Sequence, residues 1–193
     1  MRRFTKMKKT GVFLIFFLCF FAAEMVKSYG IQQDLRENLL RLHIIANSDS
    51  AYDRKIKLDV RDRLIMSGSY DIDALSAQAN ALLHDMNAGY SARVCLQNRY
   101  VPQKVYKNVA LPEGEYTCID VILGRGKGEN WWCIAYPPLC FTEVVTGEMS
   151  ESAKKELKKR LSEESLKTIL KNENVTYKFK IVEDFQKLMR FLN

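Results

Sequence analysis

Within HIIANSDS (43–50) stand His43, Ser48, Asp49 and Ser50, the residue types of a serine hydrolase. A serine nucleophile needs its base within hydrogen-bond reach. If 42–47 is a strand, His43 and Ser48 point to opposite faces, which argues against that pairing. Cys133 is the alternative nucleophile, yet neither a GxSxG elbow nor a papain-like cysteine context is present. GRGKG (124–128) could cradle a phosphate, but it lacks P-loop spacing and precedes a strand pattern instead of a helix. A tight turn needing positive φ is the simpler reading. With no CxxC and two histidines, His43 and His84, a zinc site has little to build on, and no metal or cofactor is expected.

The densest concentration of unusual residues is GKGENWWCIAYPPLCF (126–141). It holds both tryptophans, two of the five cysteines and two of the four prolines. Were 133–140 one extended strand, the two cysteine Cα atoms would lie roughly 23 Å apart. A disulfide needs less than about 7 Å, so Cys133 and Cys140 can pair only if the chain doubles back, and Pro137-Pro138 sits where it would. Such a clasp would contribute roughly 2–3 kcal/mol. The alternatives are two small buried thiols, and a separate Cys95–Cys118 bridge. Adjacent tryptophans in a strand face opposite ways, so one of Trp131 and Trp132 can enter a core while the other meets solvent or a partner.

The elements that would position these residues are legible in outline. LLRLHIIAN (39–47) reads as a buried strand. Ser50 and Asp53 resemble a capping box opening a helix through DRKIKLDVRDRLIM, with Ile56, Val60 and Leu64 on one face. A second helix is expected from Asp71 to Met86, on Leu75, Ala79, Leu82 and Leu83. Period-two alternation then marks strands at 92–97, 104–109, 116–124 and 131–136, with a turn at Leu111-Pro112-Glu113-Gly114. After Thr146 the composition shifts to Lys, Glu and Ser. Two helices separated at SEES (162–165) precede a strand, VTYKFKIV (175–182), and a last helix with Phe185, Leu188, Met189 and Leu192 at helical spacing. That stripe packs back on the domain or lies on a membrane. The class is α/β (α+β): a small single domain with a mixed or antiparallel sheet, two helices after the first strand, and an α-β-α C-terminal extension.

The N-terminus sets the compartment. MRRFTKMKK carries five positive charges, and Gly11–Ala23 carries no polar side chain. This is a signal peptide pattern, with an uncleaved anchor as the alternative. Residues 1–28 form the signal segment, 29–146 the domain and 147–193 the charged extension. The net charge of +7 falls to +2 once the six basic and one acidic residues of 1–28 are set aside, which removes the case for nucleic acid.

RLHIIANSDS (41–50) with K-L-x-V-R-D at 57–62, followed by LPEGEY (111–116) and GKGENWWCIAYPPLCF, resembles the paired signatures of the stage II sporulation protein R family. The resemblance spans roughly 35–145. It implies a signal and not an enzyme: a protein made in the forespore and exported into the space between the two membranes. There it activates a membrane-embedded aspartic protease, which processes a mother-cell sigma factor precursor. Asn130, Trp131 and Trp132 are the expected partner contacts, and Asn47, Asp49, Lys57 and Arg61 form a second expected patch. The competing classes are an exported hydrolase of the cell wall or intermembrane space using His43 with Ser48 or Cys133, and a purely structural linker.

Overall fold

A computed structural model describes residues 2–106, 109–137 and 151–170. Helix α1 spans Arg2–Asn38, followed by β1 (Leu40–Ile45), α2 (Ala51–Ser67) and α3 (Ile72–Asp85). Then come β2 (Ala92–Val101), β3 (Lys104–Tyr106), β4 (Val109–Leu111), β5 (Gly114–Leu123) and β6 (Asn130–Tyr136). Helices α4 (Glu151–Arg160) and α5 (Glu163–Leu170) end the described chain. Four strands form one sheet in the order β2-β5-β1-β6, with β1 parallel to β5 and the other two pairs antiparallel. The mixed α/β class holds, as do the two helices after the first strand. One strand reading does not: 104–109 divides into β3 and β4, which pair with each other with Tyr106 opposite Val109. Alternation alone cannot distinguish a straight strand from two short arms.

Local signals account for α2 and α3. Ser50 accepts the Asp53 N–H at 3.1 Å, and Asp71 accepts the Ala74 N–H at 2.8 Å. Gly68 closes α2 in the left-handed region at φ 61°. Both helices cover one face of the sheet. There Leu42 and Ile44 of β1 and Ile119, Val121 and Leu123 of β5 pack against Ile56, Val60, Leu64, Leu75, Ala79 and Leu83. The alternate residues Arg41, His43, Cys118 and Asp120 therefore point to the other face, and all four are buried.

That second face has its own core. Ile31, Leu35 and Leu39 at the end of α1 join Leu111, Tyr116 and Ile134 of the sheet region with Leu157, Leu161 and Ile169 of α4 and α5. The break expected at SEES is real: Ser162 Oγ accepts the Ser165 N–H at 3.2 Å, starting α5. Leu35 is fully buried. Leu35→Ala is expected to destabilise by about 2–5 kcal/mol, measured by urea unfolding of the detergent-solubilised chain. The expected strand at 175–182 and the helix carrying Phe185, Leu188, Met189 and Leu192 lie outside the described residues.

Candidate functional site

The two stretches that stand far apart in sequence meet at one end of the sheet. Antiparallel pairing sets Ile45 opposite Asn130, Ile44 opposite Trp131 and His43 opposite Trp132. Beyond β1, the Asn47 side-chain Oδ1 accepts the Arg125 N–H at 3.0 Å, and its backbone carbonyl accepts the Lys127 N–H at 3.2 Å. Asp49 Oδ1 accepts the Glu129 N–H at 2.7 Å, so the ANSDS loop holds the glycine turn through its backbone. Gly124 and Gly126 adopt φ of 53° and 60°, as a tight turn requires. A Cβ on Gly128 would meet the Ser48 carbonyl oxygen at 2.3 Å. Gly128→Ala is therefore expected to cost about 1–3 kcal/mol, read as a lowered thermal midpoint.

Helix α2 supplies the flank. Lys57 is buried, and its Nζ donates to the Glu129 carbonyl at 3.2 Å with the Glu129 carboxylate at 3.7 Å. The Arg61 guanidinium lies 5.5 Å from the Trp131 ring centroid, a cation–π distance. The two expected patches thus meet at one end of the sheet, with Trp131 turned to the α2 side and Trp132 to the opposite face, on His43. There Asn130 and Asp49 are exposed, Asn47, Arg61, Trp131 and Trp132 are half-buried, and Lys57 is an internal strut.

Beneath the loop, Asp53 gathers three donors: Asn47 Nδ2 at 2.8 Å, the Ser48 hydroxyl, and the Tyr90 hydroxyl at 2.6 Å. Burial alone would raise its carboxyl, but the hydrogen bonds from Ser48, Tyr90, Asn47 and Ser50 outweigh burial and leave it below the ordinary value. Ser50 caps α2 as the capping-box reading expects, and the Asp53 carboxylate also draws in Ser48, whose Oγ accepts the Ser50 N–H at 3.3 Å.

Behind the tryptophans lies a polar cluster. Asp120, fully buried, accepts from His43 Nδ1 at 3.0 Å and from Gln97 and Arg99 on β2. His43 Nε2 lies 2.8 Å from Asn130 Oδ1, and the imidazole stacks on Trp132 with centroids 3.5 Å apart and planes 3° apart. One face of Trp132 is thereby fixed. Burial would raise Asp120, yet the bonds from His43, Arg99 and Gln97 hold it below the ordinary carboxylate value. One residue pair along, Arg41 donates to the Cys133 carbonyl at 3.0 Å and lies 5.3 Å from the Tyr116 ring. Its two terminal nitrogens are buried with no hydrogen-bond partner among the described residues.

The Asp120–His43 pair has the form of a charge-oriented base, but Asn130 stands where a nucleophile would. Ser48 is turned to Asp53, and Cys133 is disulfide-bonded, so neither pairing of the hydrolase reading is assembled. Cys140 lies outside the described residues. Cys95 and Cys118 are free thiols, so the alternative bridge between them is not formed, and burial pushes the Cys118 thiol up to about 12. Tyr90, Gln97, Arg99 and Asp120 are not found by sequence reasoning, and Asp53 is read there only as part of a helix cap. The available signal was Asp120 itself, a carboxylate within the apolar run YTCIDVIL, since a buried charge must be paired.

The chain matches the family described as Stage II sporulation protein R over residues 36–73 and 67–146. It is 30% identical to Stage II sporulation protein R of Bacillus subtilis (strain 168) over 193 aligned residues, covering 84% of this chain and 85% of that protein. No solved structure matches. Both stretches that build the surface, the ANSDS loop with α2 and the glycine turn with β6, fall within the matched residues, and on these grounds the chain belongs to the stage II sporulation protein R family.

Proposed function

We propose that this sporulation protein is a non-catalytic signal, exported from the forespore into the intermembrane space. There it activates a membrane-embedded aspartic protease that processes the mother-cell sigma factor precursor. The observation that carries the reading is the convergence of Asn47, Asp49, Arg61, Asn130 and Trp131 at one end of the sheet, backed by a polar core that fixes side chains and, among the described residues, brings no serine or cysteine nucleophile to His43. Aromatic and arginine side chains held rigidly in this way suit energetically dominant contacts. The domain of residues 29–146 carries the contact, and a Cys133–Cys140 clasp stiffens the loop after β6. Activation follows if the surface binds the active protease conformation more tightly than the idle one, since a ligand shifts an equilibrium only by that difference.

Co-expression with the protease and the precursor in a non-sporulating bacterium tests this, with precursor cleavage followed by immunoblot. Cleavage should require export. Trp131→Ala/Trp132→Ala should lower it at least tenfold at matched protein levels, the loss of about 1.4 kcal/mol or more of contact energy. Because both rings also pack on the cores, Asn130→Ala and Arg61→Glu are tested beside them: each removes one side-chain contact, to His43 and to the Trp131 ring, and leaves both tryptophans in place. Undiminished cleavage by all three variants would overturn the assignment of this surface. Absence of cleavage with well-exported wild type would overturn the activator reading.

A further inference from the structure

Among the described residues, nothing covers the apolar half of α1. Val12, Phe13, Ile15, Phe16 and Phe20 are 68%, 72%, 62%, 74% and 60% exposed, a continuous surface far larger than a water-facing protein leaves open. The other half of the same helix is built into the protein. Ile31, Leu35 and Leu39 are 7%, 0% and 2% exposed in the second core. Gln32 donates to the Glu115 carbonyl at 3.2 Å, Asp34 accepts the Ser162 N–H at 2.9 Å, and Lys27 pairs with Glu164 of α5. Nothing interrupts the helix between the two halves: it runs from Arg2 to Asn38 as one element, and Gly11–Asn38 is long and apolar enough to cross a membrane.

Signal peptide removal needs small residues at the cut. The two matches, Val26-Lys27-Ser28 and Ser28-Tyr29-Gly30, both sit inside the continuous helix, directly before the turn that Ile31 and Leu35 bury and with Lys27 engaged by α5. We propose that α1 is an uncleaved signal anchor. Its apolar part occupies lipid hydrocarbon, and its remainder, from Lys27 onward, is the first element of the exported domain. Between Lys9 and Lys27 stand 17 residues with one charge, Glu24, near the outer end. At about 1.5 Å per residue they span roughly 26 Å, close to the ~30 Å of a bilayer core.

The anchor also fixes where the tryptophan surface stands. Gln32 lies beside Gly114 and Glu115 at the start of β5, and Leu40 pairs with Thr117, so α1, β5 and β1 advance in the same direction. From Lys27 to Leu39 the helix rises about 18 Å, and β1 adds about 20 Å. The Asn47–Asn130 end is therefore displayed up to ~40 Å from the membrane surface, on a stalk that shares the domain's core.

The inference rests on the export part of the proposed function, while its readouts are separate from precursor cleavage. The full-length chain with a C-terminal tag would be expressed in a Gram-positive host and its N-terminus determined by mass spectrometry. Membranes would be extracted with alkaline carbonate, and protoplasts treated with external protease. Expected are an intact residue 1–28 segment, retention in the carbonate pellet and digestion of the tag from outside. A species beginning after Ser28 or Gly30, release by carbonate, or a tag shielded from external protease would each overturn the proposal.

Discussion

Asp120→Ala is expected to destabilise the protein by about 3–5 kcal/mol, the largest single-residue effect in this fold. Asp120 is fully buried and receives three side chains: His43, Gln97 and Arg99. Truncation removes every acceptor at once. His43, only 2% exposed, is left with a ring nitrogen that has lost its acceptor, and Arg99 loses the counter-charge it reaches inward to meet. Leaving a buried group unpaired costs more than the bond itself contributes, which is why the loss exceeds that of a surface ion pair. Asp120→Asn separates charge from shape. It keeps one carbonyl acceptor but turns an NH2 toward donors, so it should recover part of the volume and little of the stability. Urea midpoints of the two variants against wild type are the measurement. A loss below 1 kcal/mol for Asp120→Ala would mean that water replaces the carboxylate. Because His43 stacks on Trp132, the same variants should lower Trp132 fluorescence polarisation before unfolding begins.

The contrast between Asp120 and its surroundings explains what was legible beforehand. Helices α2 and α3 rest on neighbours in sequence: Ser50 with Asp53, Asp71 with Ala74, a 3.6-residue apolar repeat and a terminal glycine. Those signals need no knowledge of the rest of the chain. The polar cluster depends on register, since Asp120 meets His43 only because β1 and β5 pair in parallel with those residues opposite. An apolar run such as LLRLHIIAN is readable as a buried strand, yet it does not show that Arg41 and His43 share a covered face. The same limit hid the union of the two expected patches, which antiparallel pairing of β1 with β6 creates. Composition likewise marks 147–193 as a charged extension, whereas Leu157, Leu161 and Ile169 are core residues whose partners, Ile31 and Leu35, lie more than a hundred positions earlier.

Asp53→Ala is expected to cost about 3 kcal/mol at pH 7 and to loosen the ANSDS loop selectively. Its carboxylate joins three parts of the chain: Asn47 and Ser48 from the loop, Tyr90 from the segment before β2, and α2 itself, whose first turn it occupies. Negative charge there also favours the helix N-terminus. The pH dependence gives the test a second axis. Asp53 has a folded-state pKa below the ordinary 3.8, because the hydrogen bonds it accepts outweigh burial. Its contribution is therefore fully present above 3.8 and is lost as the pH falls through the lowered folded-state value. The stability gap between wild type and Asp53→Ala should be widest near neutrality and narrow progressively below pH 3.8. A gap independent of pH would assign the effect to packing and not to the charge. Since Asn47 reaches both Asp53 and the glycine turn, the variant should also lose precursor cleavage while α2 and α3 remain folded. Far-UV ellipticity close to wild type with cleavage reduced several-fold would show that the loop, held by one buried carboxylate, shapes the surface presented to the partner.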